Sequence, residues 1–264
     1  MKITIIGCGN MGSALAQRLS KKHRLYFYDH HIVKAEKLEQ EGYGKASREI
    51  KESLIHAELI ILAVKPINVK EMGILIGEEL KNDQIVVSLL AGTSIKILKG
   101  LFPNGHIVRM MPNLALLYGE GVNGLSSDEN LPLKLKEELK NTFEVLGKVF
   151  WLTEDKINAL TALTASGPAF FFAMVEAMVD AGIAMGFTAV DSQALIYQML
   201  QGSLTLLEKT SKHPGELKWQ VASPRGTTIA GLKRLEELAV RGGIMNTFLA
   251  AYDRANQLSS NEQI

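Results

Sequence analysis

The sequence predicts an α/β fold, a Rossmann-type doubly wound, mostly parallel sheet followed by an all-α C-terminal domain. Three observations carry this. Lys2-Ile3-Thr4-Ile5-Ile6 is a short β-branched run that ends in Gly7-Cys8-Gly9-Asn10-Met11-Gly12 and opens an amphipathic stretch with Ala14, Leu15, Ala16 and Leu19 on one side. Strand and helix signals alternate to about residue 153. Beyond it strand signals stop and helical periodicity continues to the end.

A bare GxGxxG string says little in a chain with 23 glycines, but here it follows a strand and precedes a helix, as dinucleotide binding requires. Gly7 permits the tight turn, Gly9 the approach of a pyrophosphate, and Gly12 close helix–strand packing. A glycine turn without cofactor is the plainer alternative. A second strand, 25–28, ends at Asp29, near the spacing at which an acidic residue bonds the adenosine ribose. Helices at 31–41 and 47–56 follow. The apolar strand 58–64 stops at Lys65-Pro66 and a helix spans 69–80. Strand 85–90 closes on Ala91-Gly92, with a capped helix from Thr93 or Ser94. Strand 106–111 ends at Pro112-Asn113, and strands at 121–126 and 149–152 flank a helix at 133–146. Continuous apolar strands between helices imply a sheet covered on both faces. Ligands then bind at the carboxyl ends of strands, where Gly9, Ala63-Val64-Lys65-Pro66, Ala91-Gly92 and Pro112-Asn113 meet.

In the second half, helices are expected at 155–164, 168–185, 192–209, from Ser223, and at 244–258, with His213-Pro214-Gly215-Glu216 a turn, Gly215 at positive φ, leading into a short helix through 221. The 168–185 segment carries Phe170, Phe171, Phe172, Met174, Met178 and Ile183 with only Glu176 and Asp180 as charges. A helix apolar all round must be covered. A second subunit is the expected cover, and the core of a monomer is the alternative. The chain thus divides into a dinucleotide-binding domain, 1–153, and a helical dimerisation and substrate-binding domain, 154–264.

Ser223-Pro224-Arg225-Gly226-Thr227-Thr228 precedes Ile229, Leu232, Leu235 and Leu238 at helical spacing. Ser as N-cap and Pro as first helical residue predict a helix start at Ser223. The free N–H groups of Gly226, Thr227 and Thr228, with the positive helix end, suit a carboxylate or phosphate. An ordinary capped helix is the bland alternative.

Bulk properties narrow the class. At 264 residues, 22% charged and net charge +1, with basic residues spread along the chain, no nucleic-acid partner is expected. One cysteine, Cys8, excludes an intrachain disulfide and points to a reducing, cytoplasmic compartment. No basic-then-apolar leader is present, and the uncharged stretch 157–175 contains a Gly-Pro break, so no membrane span is expected. No metal-ligand set is assigned.

In order along nearly the whole chain, Gly7 to Gly12, Ala63-Val64-Lys65-Pro66, Arg109 to Asn113, Ser166-Gly167-Pro168-Ala169, His213 to Lys218 and Ser223 to Thr228 resemble pyrroline-5-carboxylate reductase. The last two blocks are specific to that family, and the first is shared by many dehydrogenases. The resemblance implies a helical domain that interlocks as a homodimer, with rings of dimers in some members. It implies reduction of 1-pyrroline-5-carboxylate to L-proline by NADPH or NADH. It places Thr228 at the ring nitrogen. The chain departs from the family at Arg225, where a glycine is usual, at Leu114-Ala115, where Thr-Pro is usual, and at Phe170, where Tyr is usual. Arg225 bears on the fine geometry of the loop.

The chemistry follows from elementary requirements. Hydride must reach the carbon of a C=N bond, and protonation or hydrogen bonding of the nitrogen draws electrons from that carbon. The cofactor carries the hydride, and the protein positions and polarises. The Ser223 to Thr228 segment holds the substrate carboxylate through backbone N–H groups and the hydroxyls of Ser223 and Thr227, with Thr228 as the catalytic hydrogen-bond partner of nitrogen. A hydroxyl without a neighbouring base is a poor acid, so the proton arrives on the iminium or through water. Asp29 favours NADH, whereas His30, His31 and Lys34 are placed to line the 2′-phosphate of NADPH, and both cofactors stay open. A hydroxyacid-type dehydrogenase would need a lysine on a long helix, and between 157 and 210 only Lys209 is present. A dinucleotide-sensing scaffold would need the crevice but not the 223–228 loop. His213 and Glu216 are read as turn and first-turn residues outside the catalytic set.

Overall fold

The computed structural model describes residues 1–128 and 130–261. It resolves into two compact units, Met1–Ala165 with the chain from Tyr252 on, and Ser166–Ala251.

The first unit is built on one eight-stranded sheet in the order β3-β2-β1-β4-β5-β6-β7-β8. Its strands are β1 (Lys2–Ile6), β2 (Arg24–Tyr28), β3 (Lys45–Ala46), β4 (Leu59–Leu62), β5 (Ile85–Ser88), β6 (His106–Met111), β7 (Gly121–Ser127) and β8 (Gly147–Trp151). All pairings are parallel except β6 with β7. Chain order reverses between β1 and β4, which lie in register Ile3↔Leu59 to Ile6↔Leu62. That reversal opens a crevice at the strand carboxyl ends. Alternate side chains of the same strands feed two cores. Ile3, Ile5, Ile61, Val87 and Val108 pack with Leu15, Leu19 and Phe143 on one face. Ile6, Ile60, Leu62, Val86 and Ile107 pack with Val69, Ile76 and Leu98 on the other. This is why β4 reads as an unbroken apolar run and β1 and β5 depart from one only at Lys2, Thr4 and Ser88.

The helices are α1 (Asn10–Leu19), α2 (Ile32–Gln40), α3 (Ile50–Leu54), α4 (Val69–Ile76), α5 (Ile95–Leu101) and α6 (Leu133–Phe143). Ser94 caps α5, its Oγ accepting the Ile97 N–H at 3.3 Å. The helix expected over 47–56 shrinks to the five residues of α3, and two further elements differ from expectation. The two-residue β3 carries no β-branched pattern and was not anticipated. The helix expected over 69–80 begins as a 3-10 turn, Pro66–Asn68, and stops at Ile76.

The expected break at Gly167-Pro168 is absent. A 3-10 turn (Glu154–Lys156), α7 (Ile157–Leu160), a π-helical segment (Thr161–Ser166) and α8 (Gly167–Ala184) run on continuously. Pro168 has no N–H for the Thr164 carbonyl four residues back, and the wider π turn absorbs the mismatch. The Thr164 carbonyl is satisfied instead by Asn113 Nδ2 at 3.0 Å. Glu154 anchors the start of this run. Its Oε1 accepts from Arg109 Nη1 at 2.9 Å and from the Ile95 N–H at 2.7 Å, with Arg109 only 5% exposed. By length and composition the run from Glu154 to Ala184 contains a stretch of 18 residues apolar enough to cross a membrane, with a mean hydropathy of 1.5 over that stretch.

The second unit comprises α8, α9 (Ala189–Thr210), α10 (Pro214–Gln220), α11 (Thr227–Glu237) and the first half of α12 (Val240–Asn261). α8 and α9 pack closely: Gly182 leaves room for Ser192, whose Oγ donates to the Val179 carbonyl at 2.7 Å. Phe170 meets Phe248 edge-on, with ring centroids 5.3 Å apart. Yet α8 buries only Gly167, Val175 and Gly182. Phe172 is 63% exposed and Met185 74%, while Tyr197 and Leu204 on α9 and Ile229 on α11 are also exposed. Burial of α8 in the core of its own chain, the monomer alternative, does not occur.

Candidate active site

The crevice between β1 and β4 is shaped by three glycines with three different reasons. Gly7 sits at φ +101, closes a turn whose N–H donates to the Tyr28 carbonyl at 2.8 Å, and passes so close to Ala63 that a Cβ would lie 2.7 Å from the Ala63 carbonyl oxygen. A Cβ on Gly12 would lie 1.9 Å from the Gly7 carbonyl oxygen, so α1 can start only this close to β1 if that residue is glycine. At Gly9 a Cβ would meet nothing within 4 Å. No neighbouring protein atom accounts for that glycine, unlike Gly7 and Gly12. Gly9 is the N-cap of α1 and no side chain caps the helix, so the N–H groups of Asn10 and Met11 begin a turn suited to an anion.

Asp29 ties this loop together. Its Oδ2 accepts the Cys8 N–H at 2.7 Å and its Oδ1 the His31 N–H at 2.8 Å. Cys8 is buried beneath the loop. Burial, and then the neighbouring Asp29 carboxylate, push its thiol up to about 12 from 9.0, so it stays protonated and unreactive.

A cavity of about 420 Å³ joins Gly7, Gly9, Asp29, Ala63, Val64 and Lys65. Ile6 and Tyr28, the last residues of β1 and β2, also line it without having been predicted, as do three residues beyond β4, Asn68, Glu71 and Met72. These three belong to the first turns after β4, which the rule of strand carboxyl ends reaches when the following helix start is counted. His30, His31 and Lys34 line the same cavity beside Asp29. Pro66 opens the 3-10 turn behind Lys65. Ala91 and Gly92, with Gly92 at φ +81, form the loop after β5, and Pro112-Asn113 that after β6. These four, together with Pro66, Asn10, Met11 and Gly12, are outside the walls of the 420 Å³ cavity. Asn113 is buried and both ends of its amide are engaged, Oδ1 accepting the Val122 N–H at 3.0 Å and Nδ2 donating to Thr164. Glu154, which holds Arg109 and the first turn of α5, was missed because its partners come together only in the fold.

In the second unit, the segment from Ser223 differs from its expected geometry. The helix α11 starts at Thr227 with Gly226 as N-cap, not at Ser223. Ser223 to Gly226 form a β-turn in which the Gly226 N–H donates to the Ser223 carbonyl at 3.1 Å. Pro224 holds the second position and Arg225 the third at φ +58, the pattern of a type II turn. The Ser-Pro pair thus starts a turn rather than a helix. Gly226 is consequently not a free donor. A Cβ at Gly226 would lie 2.2 Å from Ser223 Oγ, so a larger residue there would turn the Ser223 hydroxyl aside. The first-turn donors of α11 are those of Thr227, Thr228 and Ile229, and no side chain caps them. His213 proves to be the N-cap of α10, its Nδ1 accepting the Gly215 N–H at 3.1 Å. Gly215 is helical and not at the positive φ expected of it.

Comparison with known proteins bears on both units. Residues 154–258 match the family described as pyrroline-5-carboxylate reductase dimerisation. Residues 2–92 match that described as NADP oxidoreductase, coenzyme F420-dependent. The chain is 30% identical over 264 residues to pyrroline-5-carboxylate reductase of Synechocystis, covering 98% of each chain. To that of Methanosarcina acetivorans it is 32% identical, covering 97% of each. Among solved structures, Plasmodium falciparum pyrroline carboxylate reductase with NADP bound superposes at a TM-score of 0.88, with 26% identity and 98% of each chain covered.

Proposed function

The chain belongs to the pyrroline-5-carboxylate reductase family, and on that premise we propose that it reduces the C=N bond of 1-pyrroline-5-carboxylate to L-proline, the last step of proline biosynthesis. The observation that carries the reading is the whole-length match to those reductases at 30% and 32% identity. The reduced nicotinamide of NADPH or NADH supplies the hydride. The residues fit such a cofactor: Gly9 leaves open space at an uncapped helix start, and Asp29 stands at the end of β2. The N–H groups of Gly9, Asn10 and Met11 face a pyrophosphate, and Ala63 to Pro66, Ala91, Gly92, Pro112 and Asn113 shape the loops toward the nicotinamide end.

The substrate carboxylate is assigned to the start of α11. The N–H groups of Thr227, Thr228 and Ile229 and the hydroxyls of Ser223 and Thr227 hold it there. The Thr228 hydroxyl is assigned the hydrogen bond at the ring nitrogen. As hydride arrives at carbon the C=N electron pair moves onto nitrogen, where the Thr228 hydroxyl donates to it in the neutral imine or accepts its N–H in the iminium. The proton that completes the amine is the one already on the iminium or one from water. The domains are assigned as 1–153 for the dinucleotide and 154–264 for substrate and subunit pairing. The exposed apolar faces of α8 and α9, inside the dimerisation match, support a homodimer, with a ring of dimers as a larger assembly. The same pairing supplies a cover for the apolar run that does not need a lipid bilayer. We place the enzyme in the cytoplasm, without nucleic-acid or membrane partners.

The test is product identity. Purified protein is incubated with racemic 1-pyrroline-5-carboxylate and either cofactor, and the products are separated by chiral chromatography. L-proline in both arms or in one supports the reading, and unreacted imine in both arms refutes it.

A further inference from the structure

We propose that this chain selects the non-phosphorylated dinucleotide, NADH, and that Asp29 is the residue that does so. The inference rests on the dinucleotide role assigned above and deepens it. Asp29 ends β2 at the rim of the 420 Å³ cavity. Its two oxygens each accept a backbone N–H, from Cys8 at 2.7 Å and from His31 at 2.8 Å. The first bond belongs to the glycine loop and the second to the approach to α2, so the carboxylate cannot swing aside without loosening both. A negative charge is therefore fixed where an adenosine ribose lies in this topology. Its remaining lone pairs suit the 2′-hydroxyl as donor. A 2′-phosphate would meet the same charge at close range and be repelled.

His30, His31 and Lys34 are the opposing consideration, since they line the cavity beside Asp29. All three are exposed, and none is held by an ion pair among the described residues. An exposed, solvated cation gives little next to a carboxylate held by two backbone bonds. A second carboxylate, Glu71, lines the cavity as well. The balance at the ribose end is set by the group that cannot move.

The experiment is equilibrium binding, independent of turnover. Dissociation constants of NADH and NADPH are measured by calorimetry on the full-length protein, for wild type and for Asp29→Asn, which removes the charge, keeps one acceptor oxygen and gives up one of the two backbone bonds. Wild type should bind NADH roughly ten-fold or more tightly than NADPH, and D29N should bring the two within about two- to three-fold. Tighter NADPH binding by wild type overturns the proposal whether or not D29N folds. A ratio left unchanged in folded D29N overturns the role of Asp29. Binding of neither cofactor to wild type overturns the dinucleotide reading itself, and the selection with it.

Discussion

Asn113 Nδ2 lies 3.0 Å from the carbonyl oxygen of Thr164, the carbonyl to which Pro168 has no N–H to give. The same amide accepts the Val122 N–H through Oδ1. One buried side chain thus links the loop after β6, the start of β7 and the π turn before α8. Asn113→Ala leaves a buried donor and a buried acceptor unpaired and should cost about 2–4 kcal/mol of folding free energy. Urea denaturation measures it. A loss confined to cofactor affinity, with stability unchanged, would show that Asn113 acts on the ligand and not on the frame.

Arg225 is a second point of strain. At φ +58 a non-glycine residue costs about 1 kcal/mol, and type II turns favour glycine at this position. Arg225→Gly should therefore raise stability by up to about 1 kcal/mol, offset in part by the greater freedom of glycine in the unfolded chain. A lower denaturation midpoint for R225G would mean that the guanidinium contributes more than the turn costs.

Thr228→Ala should leave cofactor binding intact and lower kcat/KM for the imine on the order of ten- to a hundred-fold, from about 1.5–3 kcal/mol for a hydrogen bond to a charged group. Steady-state kinetics beside calorimetric cofactor binding separate the two. Unchanged kcat/KM in a folded variant would remove Thr228 from the catalytic assignment.

Cys8 sets a pH dependence. The unfolded thiol ionises near 9.0 and the folded one near about 12. The thiol's contribution to stability is therefore full below pH 9.0 and lost as pH rises from there through about 12. Lysines also titrate in this range, so the readout is the difference between wild type and Cys8→Ala across that window. Wild type should lose stability more steeply. Parallel curves would show that the thiol is not held protonated by its burial and by Asp29.

Much of this was legible in the sequence, for reasons that particular residues make plain. β1 and β6 were read to their observed ends because buried strands are rich in apolar residues, interrupted here only by Thr4 in one and Arg109 in the other, and stop at Gly7 and Pro112. Gly7 and Gly12 were legible because each answers a steric need of the backbone, a Cβ striking the Ala63 or the Gly7 carbonyl, whereas no protein contact accounts for Gly9. The errors arose where one signal serves two structures. Ser223-Pro224 fits a helix start and equally a type II turn, and only the backbone bond from Gly226 to Ser223 decides. His213-Pro214-Gly215 fits a loop and equally a capped helix, which it is. Gly167-Pro168 reads as a break because local sequence does not reveal that a π turn and Asn113 accommodate the proline. The Glu154 link to Arg109 spans 45 residues and leaves no local trace.

The central claim is that this chain is an imine reductase, and the most direct measurement is the stoichiometry of its reaction. Purified protein, excess reduced dinucleotide and a known amount of 1-pyrroline-5-carboxylate are mixed, and cofactor oxidation and L-proline formation are followed together. The account predicts one cofactor oxidised for each proline formed. Cofactor that binds but is not consumed when the imine is added would contradict it, leaving a dinucleotide-binding protein without this chemistry.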